Sequence, residues 1–285
     1  MNIHYHMRME SKVIETDKIK ELKKKIFITA YRAGAAHLAS SFSVIDLLYV
    51  LYCKKIIRYN IENPWDERRD RLILSKGHAC LALYVILNEI GMISDEELNS
   101  FCQPGSHLGG EPKLGVAPGI EASTGSLGHG LSFGVGMALG SKMNKYNNRI
   151  YVILGDGECQ EGSVWEAAMS AANFKLGNLI VIVDDNRLQA MDSVDAIMGI
   201  RSWKEKWEAF GFDVSEVDGH NLNEVEQTLR NITDNDKPKL IISHTIKGHG
   251  VSFMEEVPIW HFRMPNEQEL EIVKKELGIS VEELG

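Results

Sequence analysis

Two apolar runs, at residues 151–154 and 179–183, each end in a polar cluster: Gly155-Asp156-Gly157-Glu158 after the first and Asp184-Asp185-Asn186 after the second. Asp156 stands between two glycines, directly after a strand-like run and just before a helical pattern that begins near Glu161. Glycines let a bulky anion reach the backbone, and the free N–H groups of a helix N-terminus favour phosphate. A carboxylate beside such an anion repels it unless a cation bridges the two. Mg²⁺ suits that place, being hard, octahedral and commonly held by one or two protein oxygens together with substrate phosphates. Asn186, thirty residues after Asp156, ends the neighbouring run and offers a neutral amide oxygen. One acid, one amide, a main-chain carbonyl and two diphosphate oxygens would complete a shell. The competing reading makes Asp156 and Asp185 caps of helices or turns, and it weakens because two neighbouring strand ends carry ligands at once. A dinucleotide site fits less well. No GxGxxG follows a strand, and the glycines of GHGLSFGVGMALG fall inside a helical pattern, where close helix packing explains them.

Ligands at strand ends need a sheet to hold them. Strands are expected at 71–74, 150–154, 179–183, 212–217 and 239–243. Helices are expected at 17–33, at 43–53 with Ser43 as its cap, and at 79–90, 125–143, 161–174, 221–231 and 266–277. Ser94-Asp95-Glu96-Glu97 is a capping box that opens one more. The 125–143 helix should pack through Gly130, Gly134, Gly136, Ala138 and Gly140. Residues 103–121 form a glycine- and proline-rich loop, long enough to be either functional or disordered. The alternation predicts an α/β fold, an open, mainly parallel β-sheet with helices on both faces and right-handed crossovers. Ligands then collect at the carboxyl ends of the strands. No repeat, linker or composition shift marks a boundary, so 1–285 reads as a single domain with 1–15 as a peripheral N-terminal extension.

The bulk numbers exclude some functions. A net charge of −9 disfavours broad binding to nucleic acid or an anionic membrane. Cys53, Cys80, Cys102 and Cys159 form no CxxC pair, which suggests reduced thiols rather than a zinc site or a disulfide framework. The first twenty residues lack a signal-peptide pattern and no apolar run reaches membrane-spanning length, so a cytoplasmic protein is expected.

The stretch GDGECQEGSVWEAAMSAANFKLGNLIVIVDDN resembles the thiamine-diphosphate motif in its transketolase version. The likeness extends from about residue 18 to 269, through GAAHLASSFSVIDLLYVLY, LSKGHACLALY, STGSLGHGLSFGVGMALG, TIKGHGVSFME and WHFRMPNEQEL in that order. GDG-to-asparagine spacing alone fits many thiamine enzymes, 2-oxoacid dehydrogenases included. The SKGHA and HLASS blocks narrow the resemblance to transketolase and its deoxyxylulose-phosphate-synthase relatives. It implies the thiamine-diphosphate-binding fold of the diphosphate (PP) type. It further implies that Asp156, Asn186 and the main-chain carbonyl of Leu188 bind Mg²⁺, or another divalent cation such as Ca²⁺ or Mn²⁺. Gly157 and His78 would contact the diphosphate, and Gly125, Ser126 and Leu127 would line the aminopyrimidine side. Glu161 would sit near a dimer contact that couples active sites. His37, His78 and His261 would be the catalytic histidines, His37 and His261 facing substrate and the reactive carbon, His261 also near the diphosphate. Imidazoles suit proton movement because they titrate near neutrality.

The departures from the family pattern carry information too. A complete transketolase is more than twice as long, and this chain matches only the diphosphate-binding half. The resemblance therefore implies a separately encoded C-terminal, pyrimidine-binding partner, assembled as a heterotetramer of two of each, and a lone chain that binds cofactor weakly. The family's GHP is here Gly110-Glu111-Pro112; Glu111 cannot copy an imidazolium donor unless protonated, and His107, four residues earlier, either compensates for it or has a surface role. WHFRMP stands where a WHGKAP-like segment is common. Its Arg263 could receive a phosphate or acidic sugar, or pair with the partner subunit. His129, in GHG, replaces the more usual glutamine. The implied activity is transfer of a two-carbon ketol unit from a ketose, often phosphorylated, to an aldose. The alternatives are a related carboligase that uses pyruvate as donor and a non-catalytic regulatory subunit that kept the fold.

Overall fold

The computed structural model describes residues 3–35, 37–199 and 202–284, with side chains from residue 13 onward. Among the described residues five strands form one sheet: β1 (Arg71–Leu74), β2 (Ile150–Gly155), β3 (Leu179–Asp185), β4 (Asp213–Asp218) and β5 (Lys239–His244). Their order is β1-β2-β3-β5-β4, and every adjacent pair is parallel. The unbroken apolar runs of β2 and β3 suit strands covered on both faces. Successive side chains divide accordingly. Tyr151, Ile153, Ile180, Ile182 and Ile241 enter one core, while Ile150, Val152, Leu154, Val181, Val183 and Leu240 enter the other.

The helices are α1 (Ile3–Ala33), α2 (Leu38–Cys53), α3 (Cys80–Glu89), α4 (Asp95–Asn99), α5 (His129–Met143), α6 (Gly162–Asn173), α7 (Val194–Met198), α8 (Trp203–Ala209), α9 (Leu222–Arg230) and α10 (Glu267–Leu277). Residues of α1, α2, α3, α9 and α10 build the first core; residues of α5, α6 and α8 build the second. No described helix is long and apolar enough to cross a membrane.

Several boundaries differ from expectation for identifiable reasons. Residues 3–15 continue α1. α2 begins at Leu38, so Ser43 is no cap; it lies inside the helix and its hydroxyl donates to Asp184 at 2.7 Å. α5 begins at His129, because Gly125 (φ +123°) and Gly128 (φ +83°) adopt backbone conformations that a right-handed helix excludes. α7 and α8 fill a stretch where each is too short to show a periodic pattern. The loop at 103–121 holds no helix or strand, yet it is seated: Leu108, Ala117 and Ile120 are buried, and Glu121 pairs with Arg69 at 2.6 Å and Arg71 at 2.8 Å.

The small residues of α5 split between two faces. Gly130, Gly134 and Ala138 are buried, and a Cβ on Gly134 would lie 2.4 Å from Val152 Cγ2. Gly136 and Gly140 would meet nothing within 4 Å, so they do not pack the helix as the sequence suggests. The two faces should respond oppositely to alanine in the isolated chain. Gly136→Ala should gain up to about 1 kcal/mol through helix propensity alone. Gly134→Ala should lose about 1–2 kcal/mol, since overpacking against a β-branched core residue outweighs that gain. Urea-unfolding midpoints measure both; shifts of the same sign would refute the assignment of faces.

Candidate functional site

The carboxyl ends of β2 and β3 are joined by more than the sheet. Asp156 N–H donates to the Asp184 carbonyl at 3.3 Å, and the Asp156 carboxylate accepts the N–H groups of Gly157 (2.7 Å) and Arg187. Asn186 folds its own turn back: its amide oxygen accepts Leu188 N–H at 3.1 Å, its amide nitrogen donates to Asp184 at 3.4 Å, and Arg187 takes φ +61°. Asp156, Asn186 and Leu188 thus line one cavity of about 270 Å³.

Charge is distributed unequally among the three acids here. Buried Asp184 is ion-paired with buried Lys76, and Asp185 is hydrogen-bonded to His244 Nδ1 at 2.8 Å. Burial pushes Asp184 up, but the charge and hydrogen bond of Lys76, helped by Thr245 and Ser43, more than offset it, leaving Asp184 below the ordinary value. Asp156 accepts only main-chain N–H groups among the described residues. Burial first, then the charges of Asp184 and Asp185, lift it to about 7. A buried acid in that condition lacks a counter-cation. With an amide oxygen and a main-chain carbonyl in the same cavity, the donor set is hard oxygen throughout, the chemistry of Mg²⁺, Ca²⁺ or Mn²⁺.

The remaining walls suit an anion. Lys76, His78, Lys247 and His261 line the same cavity, with Ser40, Leu127, Gly157 and Glu161. Lys247, from the loop after β5, is 1% exposed; its ammonium donates to the Leu188 carbonyl at 3.1 Å and to His261 Nδ1 at 2.9 Å. Burial, then Lys76, lowers it to about 8. Gln189 lies over Gly157, where a Cβ would come within 2.7 Å of its Cγ, and its buried amide nitrogen has no partner among the described residues. Bare backbone, an orphaned donor and an ammonium facing one cavity match the needs of a diphosphate held through a divalent cation.

Three histidines from distant loops converge. His37 precedes α2, His78 lies in the one-turn helix Gly77–Ala79 after β1, and His261 ends the one-turn helix Pro258–His261. Ring centroids are 5.5 Å apart for His37–His78 and His37–His261, and 5.1 Å for His78–His261. All three are held below the ordinary imidazole value. Burial leads in each case, followed by Lys76 for His78 and by Lys247 for His37 and His261, the last reaching about 3. They are therefore neutral at neutral pH. Because Lys247 donates to Nδ1, His261 carries its proton on Nε2. Phe262 packs its ring 4.8 Å from that of His37.

The other candidates are placed less centrally. Leu127 lines the cavity. Gly125 packs against Gly77, whose Cβ would lie 2.6 Å from Gly125 N, and the Ser126 hydroxyl is 3.3 Å from His129 Nδ1. Glu161 is exposed at the start of α6. The exposed Glu111 carboxylate lies across Gly125, where a Cβ would overlap it. His107 is exposed and is not among the residues lining this cavity. Arg263, offered by the sequence to a phosphate or to a partner, pairs with this chain's own Glu269 at 2.7 Å and lies 4.2 Å over the Trp260 ring.

Sequence alone assigns no role to Lys76, Lys247, Gln189 or Glu158. Glu158 is a tie rather than a ligand: its buried carboxylate accepts Gly128 N–H (2.8 Å), Gly155 N–H (3.0 Å) and the Ser75 hydroxyl, fixing three loops around the cavity. The available signal is a lysine beside glycine soon after a strand, in Ser75-Lys76-Gly77 and Ile246-Lys247-Gly248.

Residues 15–284 match the family described as transketolase, thiamine diphosphate binding domain. The chain is 41% identical over 279 residues to an apulose-4-phosphate transketolase subunit of Phocaeicola vulgatus, covering 98% of each. It is 40% identical over 228 residues to a 6-deoxy-6-sulfo-D-fructose transketolase subunit of a Clostridium species, covering 79% of this chain and 82% of the relative. Among solved structures, the transketolase of Campylobacter jejuni superposes with a TM-score of 0.84 at 30% identity, over 92% of this chain. This chain spans only 43% of that protein.

Proposed function

This chain belongs to the transketolase family, and from that membership we propose that it is the cofactor-binding subunit of a split transketolase. It transfers a two-carbon ketol unit from an anionic ketose, such as a ketose phosphate, to an aldose acceptor. The observation that carries the reading is Asp156: a buried acid with no ion pair among the described residues, sharing its cavity with the Asn186 amide, the Leu188 carbonyl and a buried ammonium. Asp156, Asn186 and Leu188 O would hold Mg²⁺; Gly157, Gln189, His78 and Lys247 would receive the diphosphate. Thiamine diphosphate, when bound, supplies the nucleophilic carbon and accommodates the electron pair released by C–C cleavage.

The chain's own residues do the rest. Lys247 balances diphosphate charge. Neutral His261 offers Nε2–H as a hydrogen-bond donor to a substrate oxygen, and His37, also neutral, can accept or return a hydroxyl proton. Phe262 shields the histidine cluster from water on one side. The relatives of near-equal length are themselves named as transketolase subunits, which supports a separate partner chain that supplies the pyrimidine-binding half. Two of each would assemble in the cytoplasm. Those same names specify sugars with a phosphate or sulfonate end, which supports an anionic ketose here.

The test is reconstitution with the complementary C-terminal-half partner, assaying release of the shortened aldose from ketose phosphates. Turnover should require thiamine diphosphate and a divalent cation. Pyruvate decarboxylation in place of ketose cleavage would replace the donor, and failure of the reconstituted pair to bind thiamine diphosphate would remove the proposal.

A further inference from the structure

A second cavity, of about 450 Å³, lies behind the loop that delivers Lys247, with Lys23, Asp46, His220 and His249 among its walls. Ligand atoms of Asp46, His220 and His249 lie within 4.8 Å of one another, which superficially resembles a metal set. Proton bookkeeping excludes that reading for His220. Its Nε2 accepts the N–H of Ile246 at 2.9 Å, so the single proton of the neutral ring sits on Nδ1 and points at Asp46 Oδ2, 2.5 Å away. A metal on Nδ1 would require an imidazolate, and the Lys23 ammonium already stands 3.7 Å from Asp46 Oδ1. What remains is a directed chain: carboxylate, imidazole, main-chain N–H.

That chain ends one residue before Lys247. We infer that Asp46 and His220 are positioning residues for Lys247, fixing the 245–248 loop so that its ammonium meets the cofactor's diphosphate. The inference rests on the role given to Lys247 above. Asp46 holds the His220 ring in the tautomer whose Nε2 can accept, and the Asp46 carboxylate is itself buried in α2. The loop is pinned on either side: Thr245 N–H donates to Asp185 O at 3.1 Å, Gly248 N–H to Ala39 O at 3.0 Å, and Glu256 N–H to Lys247 O at 3.1 Å. Among these ties, the Ile246 N–H is held by a side chain. Neither Asp46 nor His220 lines the cofactor cavity, so their influence runs through the loop.

A double-mutant cycle tests this with the reconstituted pair, reading the Kd for thiamine diphosphate with Mg²⁺. His220→Phe should weaken binding about 10–100-fold. His220→Gln, which retains an acceptor for Ile246 N–H, should recover most of the loss. In a Lys247→Met background His220→Phe should have no further effect, because the residue it positions is gone. Equal losses in both backgrounds would overturn the inference and leave a purely structural pair. Where His220→Phe lowers the melting temperature, the isosteric Asp46→Asn replaces it in the same cycle, since its amide can donate to Nδ1 and so remove the Nε2 acceptor. Amide hydrogen exchange in the ligand-free chain is a second readout. Ile246 should exchange at least about 10-fold faster in His220→Phe and near the unaltered rate in His220→Gln. Unchanged exchange in both would also overturn the inference. If the unaltered pair binds no thiamine diphosphate, the proposed function falls and this inference with it; binding without coupling removes the inference alone.

Discussion

Asp156→Ala should leave a folded chain whose affinity for thiamine diphosphate with Mg²⁺ falls by at least about 100-fold, since even groups one shell beyond a metal are worth 10–100-fold. The ligand-free chain should meanwhile become more stable, and the reason lies in pH. Asp156 is held near 7 in the fold against an ordinary value of 3.8. Between those values the unfolded chain has lost the proton that the folded chain keeps. At Asp156 the folded state therefore binds more protons, and this group's contribution to stability falls as pH rises. The loss starts near pH 4, is complete slightly above 7, and amounts to roughly 2–4 kcal/mol. Asp156→Asn should remove that contribution. Binding of the divalent cation and diphosphate needs the carboxylate ionised, so loading near pH 7 should release part of a proton. Urea unfolding from about pH 4.5 to 8, with calorimetry in buffers of different ionisation enthalpy, measures each part. His37, His78 and His261, held below their ordinary value, act in the opposite direction below about pH 6.5, so Asp156 is read from the difference between the unaltered chain and Asp156→Asn. A difference that does not change with pH, or unchanged cofactor affinity in Asp156→Ala, would refute the metal assignment.

Lys76→Met should destabilise the chain by about 3–5 kcal/mol, a fall in melting temperature on the order of 10 °C for a protein of this size. Lys76 and Asp184 are each 1% exposed on their side chains and form an ion pair in the sheet's interior. Removing the lysine strands a carboxylate among donors that only partly satisfy it: Ser43, Thr245 and the Asn186 amide. The double variant Lys76→Met/Asp184→Asn should recover more than half of the loss, because no charge is left unpaired. Since Asn186 rests on Asp184, the single variant should also disturb the Asp156–Asn186 end of the cavity. A loss below about 1 kcal/mol, or a double variant no better than the single, would show that the pair does not organise this end of the sheet.

How much of this is legible in the sequence follows from distance along the chain. Asp156, Gly157, Asn186 and Leu188 belong to one strand–helix–strand unit, so run lengths and spacing are enough to place them together. The parallel sheet is legible for the same reason, from apolar runs that do not alternate. Ser43 is misplaced by sequence because capping preference is a local rule, whereas its hydroxyl serves Asp184 on another element. The start of α5 is misplaced because the apolar pattern continues into Gly125–Gly128, where backbone geometry forbids helix. Lys76 and Lys247 escape a sequence reading because lysine is ordinarily exposed. Their burial depends on Asp184 and on the Leu188 carbonyl, groups 108 and 59 residues away. Arg263 finds an acid six residues ahead, an ordinary local pairing that competes with the substrate or partner role its position suggests.

The strand order β1-β2-β3-β5-β4 has a consequence for how the molecule comes into being. The last strand in the chain is not an edge strand: it sits between β3 and β4, both made before it. Until residues 239–244 insert, β4 has no neighbour and the sheet is two pieces. The same insertion carries Thr245 to Asp184 and Lys247 to Leu188. Parallel pairing across such separations is slow, because the loop entropy is lost before the contacts form. Joining β4 to the sheet and completing the cavity are therefore one event: without β5 in place, the Asp156–Asn186 turn has no Lys247 ammonium to face it.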